Sequence, residues 1–403
     1  MTDYKIINDP VFGFIKIPRG ILLDIVRHPL MQRLTRIRQL GLTQEVYPGA
    51  QHTRFQHSLG ALYLMSEALI SLQQKGIFVF DSEVEAVQAA ILMHDIGHGP
   101  FSHVLENTLI SGITHEEISL MMMDRINNEM HGALTLAINI FKNEYPKRFL
   151  HQLISSQLDM DRLDYLRRDS FFTGVTEGNI GSARIIKMLN VVDDALVVES
   201  NGIYSIENYL TSRRLMYWQV YLHKTTVGCE NVLINALHRA KALAAKGTEL
   251  FASPALRYFL YNDVDADSFQ SDEKELDNYI ELDDNDIWSA LKVWQHHDDK
   301  ILSLLASNIV NRRLFKVEVR EEEPTDEEIQ ALKASLSATY GIEEADCQYL
   351  MGVNKDMYNP FDDHISILYK DGTLKDITVA SEILNIELLS KKICKYYLCY
   401  QRF

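Results

Sequence analysis

Apolar side chains recur at helical spacing through most of the chain between residues 29 and 245. The clearest case is segment 57–75, in which leucine, tyrosine and methionine side chains form one broad apolar face. Ser82 and Thr114 are each followed by glutamate three residues later, a pattern typical of helix starts. No apolar run reaches the roughly 18 residues that a membrane span requires. The sequence therefore predicts a mainly helical protein without a membrane segment.

Strand patterns flank this helical body. Residues 4–17 predict two short strands joined by a turn, residues 314–320 alternate as a strand does, and residues 365–377 predict a hairpin. We therefore expect a mainly α fold in two parts. The first, residues 1–260, is a helical domain that begins with a short hairpin, and the second, residues 261–403, is a small α+β extension.

Charge and cysteine usage limit the class of protein. The net charge of -16 makes a nucleic acid polymer an improbable partner, because duplex-binding proteins present a basic face. A small anionic ligand remains compatible, since a bound metal can reverse the local field. The four cysteines form no CxxC pair, and the N-terminus carries no signal-peptide pattern. These features predict reduced thiols and a cytoplasmic location.

Spaced aspartates punctuate residues 262–286. A solvated surface is the favoured interpretation of such a run, and a helix cap is the alternative. A calcium loop is disfavoured, because the glycine and the terminal glutamate that such loops require are out of register.

The densest chemical segment is HDIGHGPFSH at 94–103. The adjacent His94 and Asp95 should lie in the last turn of a helix, where an imidazole and a carboxylate can point at one ion. Gly97 and Gly99 let the backbone turn and approach a ligand closely. This segment predicts part of a transition-metal site.

Two further ligands are available elsewhere in the chain. His57 lies at or near the start of an apolar helix, and Asp161 shares a helical face with Asp164. Each has a simpler interpretation. A lone histidine is usually a satisfied core or surface residue, and the aspartates of 159–169 could be surface charges paired with neighbouring arginines.

Taken together, these segments resemble the HD-domain phosphohydrolase superfamily, which is named for its His, His-Asp and Asp metal ligands. Within it they resemble the deoxynucleoside triphosphate triphosphohydrolases, which are dGTPase-like enzymes, and their bacterial relatives. The motifs match in order and spacing: HPLMQRL (28–34), RQLGL (38–42), YPGAQHTRFQHSLG (47–60), HDIGHGPFSH (94–103), DMDRLDYLRRD (159–169) and YLHKTT (221–226). The first part of the chain is thus expected to be a helical HD-domain core.

The resemblance implies a metal centre and a set of catalytic residues. The implied metal ligands are His57, His94, Asp95 and Asp161. The implied catalytic residues are His98, His103, His115 and Glu106. His103 would protonate the leaving 5′ oxygen, while His98 and His115 would orient water and phosphate. The ion would be a divalent transition metal (Fe, Mn, Ni or Zn), and Mg could accompany it as a second ion.

The resemblance also implies a binding site for a deoxynucleoside triphosphate. The matching residues are Gln39, Leu40, Arg54, Arg162, Tyr165, Asp169, Arg213 and Tyr221. Arg54 would reach the α-phosphate. Gln39 and Asp169 would bind the 3′-hydroxyl, and Tyr165 would pack on the sugar. Leu40 and Tyr221 would crowd the 2′ carbon and disfavour ribose.

The implied reaction releases deoxynucleoside and inorganic triphosphate, and the implied assembly is a homodimer or homotetramer. Two alternatives remain. The first is an HD-type nucleotidase, cyclic-nucleotide phosphodiesterase or general phosphatase, which would share the metal ligands but would not need a sugar-binding pocket. The second is a nucleotide sensor without catalysis, which is disfavoured because every ligand and catalytic histidine is present.

Overall fold

Helices make up most of the computed structural model, which describes residues 3–101, 104–105, 108–271, 273–358, 364–381 and 393–403. The α-helices of these ranges are α1 (Ile21–Arg27), α2 (Pro29–Arg33), α3 (Arg54–Gln74), α4 (Asp81–Met93), α5 (His115–Glu129), α6 (Thr135–Phe141), α7 (Arg148–Gln152), α8 (Met160–Thr173), α9 (Ser182–Met188), α10 (Ile203–Met216), α11 (Lys224–Ala245), α12 (Pro254–Tyr261), α13 (Ala266–Ser271), α14 (Glu273–Ile280), α15 (Asp284–Trp294), α16 (Lys300–Val310), α17 (Asp326–Tyr340) and α18 (Ile377–Ala380). The prediction of a mainly α fold is confirmed.

The strands are short and form small sheets. In chain order they are β1 (Tyr4–Asp9), β2 (Gly13–Pro18), β3 (Ile110–Ser111), β4 (Leu189–Val192), β5 (Ala195–Glu199), β6 (Val264–Asp265), β7 (Lys316–Arg320), β8 (Met351–Tyr358), β9 (Ser366–Leu368), β10 (Leu374–Asp376) and β11 (Ile393–Tyr400). Strands β1 and β2 form the predicted N-terminal hairpin. The other sheets have the orders β10-β9-β5-β4, β7-β11-β8 and β3-β6.

Helix α3 lies against both α4 and α8 at the centre of the helical part. Its apolar face is buried from Leu59 to Leu72, as its periodicity predicts. Gly60 lets α3 approach α8 closely, because a Cβ at this position would overlap the Asp164 carboxylate and the Arg168 guanidinium. This close approach brings the first turns of α3 and α8 together.

The predicted helix starts have different outcomes. At Thr114 the prediction is confirmed: its hydroxyl accepts from the Glu117 N–H at 3.2 Å, and the Glu117 carboxylate accepts from the Thr114 N–H at 2.8 Å. At Ser82 the prediction is wrong. The cap of helix α4 is Phe80, two residues earlier, and Glu83 accepts from the Phe80 N–H at 2.8 Å.

The C-terminal part carries the predicted α+β elements. Strand β7 lies within 314–320, and β9 pairs antiparallel with β10 as the predicted hairpin. Segments on both sides of residue 260 share sheets, since β9 pairs in parallel with β5 and β6 pairs in parallel with β3. The division at 260/261 stays a prediction.

The acidic segment differs from expectation at its end. Asp283 caps α15 by accepting from the Asn285 N–H at 2.8 Å, so the alternative prediction of a helix cap holds there. Asp284 is 2% exposed and accepts from the backbone N–H of Arg38 at 3.0 Å. A solvated surface is therefore wrong for these two residues, because N–H groups and arginines compensate their burial.

The described residues also bear on the predicted absence of a membrane segment and on the state of the cysteines. None of their helices combines the length and the apolar character needed to cross a membrane. All four cysteines are free thiols, and Cys229, Cys347 and Cys399 are buried, as the prediction of reduced thiols requires.

Candidate metal centre and cavity

One cavity of about 680 Å³ gathers most of the predicted site residues. The eight predicted substrate-binding residues lie on its wall: Gln39, Leu40, Arg54, Arg162, Tyr165, Asp169, Arg213 and Tyr221. Four predicted metal-binding or catalytic residues also line it: Asp95, His98, His115 and Asp161. His57 and His94 are buried next to Asp161. His103 and Glu106, the other two predicted catalytic residues, lie outside the described residues.

Two histidine nitrogens and one carboxylate oxygen converge beside this cavity. His57 Nε2 lies 3.0 Å from Asp161 Oδ1 and 3.2 Å from His94 Nε2. His94 Nε2 lies 3.4 Å from the same oxygen of Asp161. The first turns of α3 and α8 and the C-terminal end of α4 supply these residues. Three helices thus hold three ligand atoms within reach of one ion.

The other ring nitrogens determine which atoms can bind a metal. His57 Nδ1 lies 2.7 Å from Asp164 Oδ2, and His94 Nδ1 lies 2.6 Å from the Ile91 carbonyl oxygen. Because a carboxylate and a carbonyl only accept, both Nδ1 atoms carry protons. In the form that binds a metal both rings are neutral, and they direct two Nε2 lone pairs at one point beside a carboxylate. This donor set is repulsive without a cation between its members, so the residues fit a divalent metal.

Asp95 lies at the edge of this cluster. Its Oδ1 is 3.4 Å from His94 Nε2, and its Oδ2 is 3.7 Å from His57 Nε2. Oδ2 also accepts a hydrogen bond from Arg54 at 2.6 Å. Asp95 therefore connects the ligand histidines with an arginine of the cavity wall.

The pKa values reflect the charge of the cluster. Burial lowers the pKa of His57, but hydrogen bonds to Asp161 and Asp164 outweigh burial and raise it to about 10. The pKa of His94 is raised for the same kind of reason: Asp95 and Asp161 outweigh its burial. For Asp161, burial alone would raise the pKa, yet the two histidines hold it below its usual range. The cluster therefore attracts positive charge.

A buried chain of charged groups supports His57. Asp164, which holds His57 Nδ1, accepts from Arg168 Nε at 2.9 Å, and Arg168 also donates to Asp9 Oδ2 at 2.7 Å. The side chains of Asp164 and Arg168 have no exposed surface. The interpretation of this pair as surface charges is therefore wrong, and Asp9 of the N-terminal hairpin belongs to the support of the metal site.

The backbone after His94 is fixed by its neighbours. Gly97 N–H donates to Ser119 Oγ at 2.9 Å, and Ser119 Oγ donates to the His94 carbonyl at 3.0 Å. A Cβ at Gly97 would overlap the backbone of His115 and Ser119, so this close approach requires glycine. Tyr279 O–H donates to the Gly97 carbonyl at 2.8 Å. A residue beyond position 260 thus supports the metal-binding segment.

His98 and His115 lie side by side on the cavity wall. Their rings stack with centroids 3.9 Å apart and planes 17° apart. His98 Nε2 lies 3.3 Å from Asp95 Oδ1. Burial and the nearby Arg54 guanidinium lower the pKa of His98 to about 3, although Asp95 opposes this shift. His98 is therefore a neutral imidazole at neutral pH.

Helix α8 also carries Asp169, eight residues after Asp161 and therefore about 12 Å further along the helix axis. Asp169 is 1% exposed. Its Oδ2 accepts from the Tyr221 hydroxyl at 2.8 Å, and its Oδ1 lies 2.7 Å from His52 Nε2. Tyr221 ends a π-helical turn, Tyr217–Tyr221, an irregularity that is frequent at functional sites. His52 lies in the segment 47–60 but was not among the predicted site residues.

The cavity therefore has two distinct ends. The metal end comprises His57, His94, Asp95 and Asp161, and the Asp169 end comprises Gln39, Asp169 and Tyr221.

Each end has a buried polar atom without a hydrogen-bond partner among the described residues: Arg54 Nε, beside the metal end, and Gln39 Oε1. An unsatisfied buried group of this kind costs about 1–3 kcal/mol. Together they favour a ligand with polar groups near both Arg54 and Gln39.

Comparison with known proteins places the chain in a family. The HD domain model matches residues 54–169, and the HD associated region matches residues 180–252. YwfO, an uncharacterised protein of Bacillus subtilis, is 31% identical over 411 residues, which cover 97% of this chain and 90% of YwfO. A crystal structure of a phosphohydrolase from Bacteroides thetaiotaomicron is 66% identical, with a TM-score of 0.97, and the match covers 99% of this chain and 100% of that one. The chain belongs to the HD-domain phosphohydrolases.

This HD-domain phosphohydrolase is also similar to human SAMHD1, a deoxynucleoside triphosphate triphosphohydrolase. The two are 29% identical over 367 residues, which cover 80% of this chain and 56% of SAMHD1. The chain thus spans just over half the length of that relative. The resemblance predicted from the motifs is confirmed.

The cavity wall of this HD-domain phosphohydrolase carries four arginines and four carboxylates, so a cation bound by the carboxylates would leave the wall with a positive balance. The arginines are Arg38, Arg54, Arg162 and Arg213, and the carboxylates are those of Asp95, Asp161, Asp169 and Glu230. Arg162 Nε donates to the Ser156 carbonyl at 2.8 Å and to Asp159 at 3.1 Å. Arg213 donates to Gln157 Oε1 at 2.6 Å. These hydrogen bonds orient two of the four guanidinium groups from behind.

The residues that sequence analysis missed share one property. Asp9 and His52 both precede the matched HD range, and both reach the site through contacts over more than a hundred residues. Only the spacing of Asp164 and Arg168, four residues apart on one helix, was a local signal. That spacing does not distinguish a surface pair from a buried support.

Proposed function

We propose that this HD-domain phosphohydrolase hydrolyses deoxynucleoside triphosphates to deoxynucleoside and inorganic triphosphate. The observation that carries the proposal is the coexistence, in one cavity, of a His-His-Asp cluster and two unsatisfied polar atoms. The side chains of Arg54 and Gln39 both line the cavity, where a guanidinium suits a phosphate oxygen and an amide suits a sugar hydroxyl. A plain phosphatase has no use for the second of these groups.

The residues that would hold the metal are His57, His94, Asp95 and Asp161. A divalent metal bound there would polarise a phosphoryl oxygen and lower the pKa of a bound water towards neutrality. Two histidines and two carboxylates suit Fe, Mn, Ni and Zn, and Mg would be a second ion beside one of these.

The chain's own residues would position the phosphates. Arg54 is held by Asp95 through one terminal nitrogen, so the rest of its guanidinium would be left to bind an α-phosphate oxygen. Arg162 and Arg213 would bind the rest of the triphosphate, since their planar forks suit phosphate oxygens. Binding all three phosphate groups would favour attack at the α-phosphorus.

The reaction adds water to the α-phosphorus and breaks its bond to the 5′ oxygen, which then takes a proton. Neutral His98, stacked on His115, suits the orientation of water and phosphate better than proton donation. The proton donor is proposed to be His103, with Glu106 beside it, as the resemblance implies. Both roles stay predictions.

The Asp169 end would bind the deoxyribose. Asp169 would accept a hydrogen bond from the 3′-hydroxyl, and the side-chain amide of Gln39 would donate to the oxygen of the same hydroxyl. Leu40 and Tyr221 would leave no room for a 2′-hydroxyl, and Tyr165 would pack on the sugar, with its ring 6.1 Å from that of Tyr221. Homodimer or homotetramer assembly and a cytoplasmic location also stay predictions.

The test is to incubate purified, manganese-supplemented protein with each deoxynucleoside triphosphate and with GTP, and to resolve the products by ion-exchange chromatography. We expect deoxynucleoside together with intact triphosphate, and no such products from the Asp161→Ala variant. Monophosphate or orthophosphate would instead favour a nucleotidase or general phosphatase. Binding without turnover would favour a nucleotide sensor.

A further inference from the structure

His52 lies behind the cavity wall at the Asp169 end. Its side chain is fully buried, and its ring stacks on Phe172 with centroids 4.5 Å apart and planes 17° apart. It does not line the cavity. Any effect of His52 on a ligand therefore passes through the residues that it contacts.

His52 contacts both polar residues proposed to bind the sugar. Its Nε2 lies 2.7 Å from Asp169 Oδ1, and its backbone carbonyl accepts from the Gln39 N–H at 3.0 Å. Pairing of Arg38 with Thr53 holds the same two segments together. One residue thus connects Gln39 and Asp169, which are far apart in sequence.

The bond to Asp169 sets the direction of that carboxylate. A carboxylate offers about four lone-pair sites. The His52 N–H takes one site on Oδ1, and the Tyr221 O–H takes one on Oδ2. With one donor on each oxygen, the carboxylate cannot rotate without losing a bond. Its remaining sites are available to a ligand in the cavity.

A purely structural role explains His52 poorly. Nε2 is directed at Asp169, and the other ring nitrogen, the buried Nδ1, has no hydrogen-bond partner among the described residues. Burying an unsatisfied nitrogen is unfavourable, and an apolar side chain could pack on Phe172 without that cost. What the histidine provides, and an apolar residue does not, is the N–H directed at Asp169.

We propose that His52 is a positioning residue that aims Asp169 at the 3′-hydroxyl, and that it thereby selects nucleotides with a free 3′-hydroxyl. This inference rests on the proposed function. A site built to bind a hydroxyl rejects analogues that lack it, because its buried polar group is then left unpaired. Loss of this orientation of Asp169 should therefore lower kcat/KM for a substrate with a 3′-hydroxyl and leave kcat/KM for an analogue without it nearly unchanged.

The test compares kcat/KM for the best deoxynucleoside triphosphate and for its 2′,3′-dideoxy counterpart. In the wild type we expect a clear preference for the 3′-hydroxyl. In His52→Leu that preference should fall at least about tenfold, because activity on the normal substrate drops while activity on the dideoxy analogue changes little. In His52→Gln, whose amide N–H can donate to Asp169, much of the preference should return.

Phe172→Leu is the matched control, because it alters the packing on the ring and keeps the bond to Asp169. We expect both substrates to change alike in this variant. Thermal melting of each variant reports on folding separately.

Equal losses on both substrates in His52→Leu, an unchanged preference, or a wild type that does not discriminate between the substrates would each overturn the role of His52. A wild type that turns over no deoxynucleoside triphosphate would overturn the proposed function itself, and the inference with it.

Discussion

At the metal end of the cavity both ring nitrogens of His57 and of His94 have neighbours, although Arg54 Nε beside them has no hydrogen-bond partner among the described residues. At the Asp169 end two buried atoms, Gln39 Oε1 and His52 Nδ1, lack such a partner. The metal end consists of charges that are each supported by another charge or a carbonyl. The Asp169 end depends on hydrogen bonds among groups that are mostly neutral.

This difference separates two tasks. Supported charges hold a cation in a fixed place before a substrate arrives, so removal of one leaves the others repelling each other. Groups that form hydrogen bonds only with the correct substrate instead discriminate between that substrate and analogues that lack the bonding group. We expect changes at the metal end to abolish turnover and changes at the Asp169 end to alter selectivity.

The largest effect should come from the ligands themselves. A bound metal supplies several kcal/mol of transition-state stabilisation, and each 1.4 kcal/mol or so is tenfold in rate, so His94→Ala and Asp161→Ala should each lower turnover by about a thousandfold or more. Metal content measured by mass spectrometry should fall in parallel. Asp267→Ala removes an exposed aspartate and should change neither quantity. Full metal content and activity in either ligand variant would contradict the site.

The buried support should have the next largest effect. Asp164→Asn keeps the shape of the side chain but removes the charge between His57 and Arg168, so metal affinity or activity should fall about 10–100-fold. Titration of metal-free protein with manganese measures the affinity. A wild-type affinity in this variant would mean that the support is structural only, and the two ends would then differ less than proposed.

A smaller effect is expected at the Asp169 end. Tyr221→Phe removes one donor from Asp169 and keeps the ring beside the sugar, so kcat/KM for the best deoxynucleoside triphosphate should fall about 2–10-fold, which is the net value of one hydrogen bond. Metal content should stay at the wild-type level. A loss of metal in this variant would show that the two ends are coupled.

The smallest effect on activity is expected for Asp284, a carboxylate outside both ends of the cavity. Its expected effect is on stability. Burial raises the pKa of Asp284 to about 6 from its ordinary value of 3.8, in contrast to Asp161, whose neighbouring histidines lower its pKa. The folded protein therefore keeps a proton that the unfolded chain has lost, so the free energy of unfolding should fall as the pH rises from about 4 to 6.

Asp284→Asn should remove that slope, a difference of about 2–3 kcal/mol at most. Denaturant unfolding at several pH values measures it. A slope shared by the wild type and the variant would exclude Asp284 as its source.

Local sequence signals were enough for much of this architecture. The helix start at Thr114, the hairpins and the mainly α fold follow from spacing and turn chemistry. His94 and Asp95 stand side by side in the chain, so their cooperation is visible in one segment. The HD resemblance adds His57 and Asp161.

The remaining support required tertiary structure. Asp9, His52 and Tyr279 act on segments that are 117 to 182 residues away, and no periodicity predicts such a meeting. The start of α4 was misplaced for a similar reason. Glu83 is held by Lys147 at 2.6 Å, and this distant contact favours Glu83 over the Ser82 pattern.

The ion pair between Asp9 and Arg168 can form only after both residues have been synthesised. Asp9 leaves the ribosome 159 residues before Arg168, and at about 5–20 residues per second this separates them by roughly 8 to 30 seconds. Tyr279, which fixes Gly97, follows later still. A nascent chain therefore exposes the histidines of the candidate metal site well before their supports exist, so the complete site would form only late in synthesis.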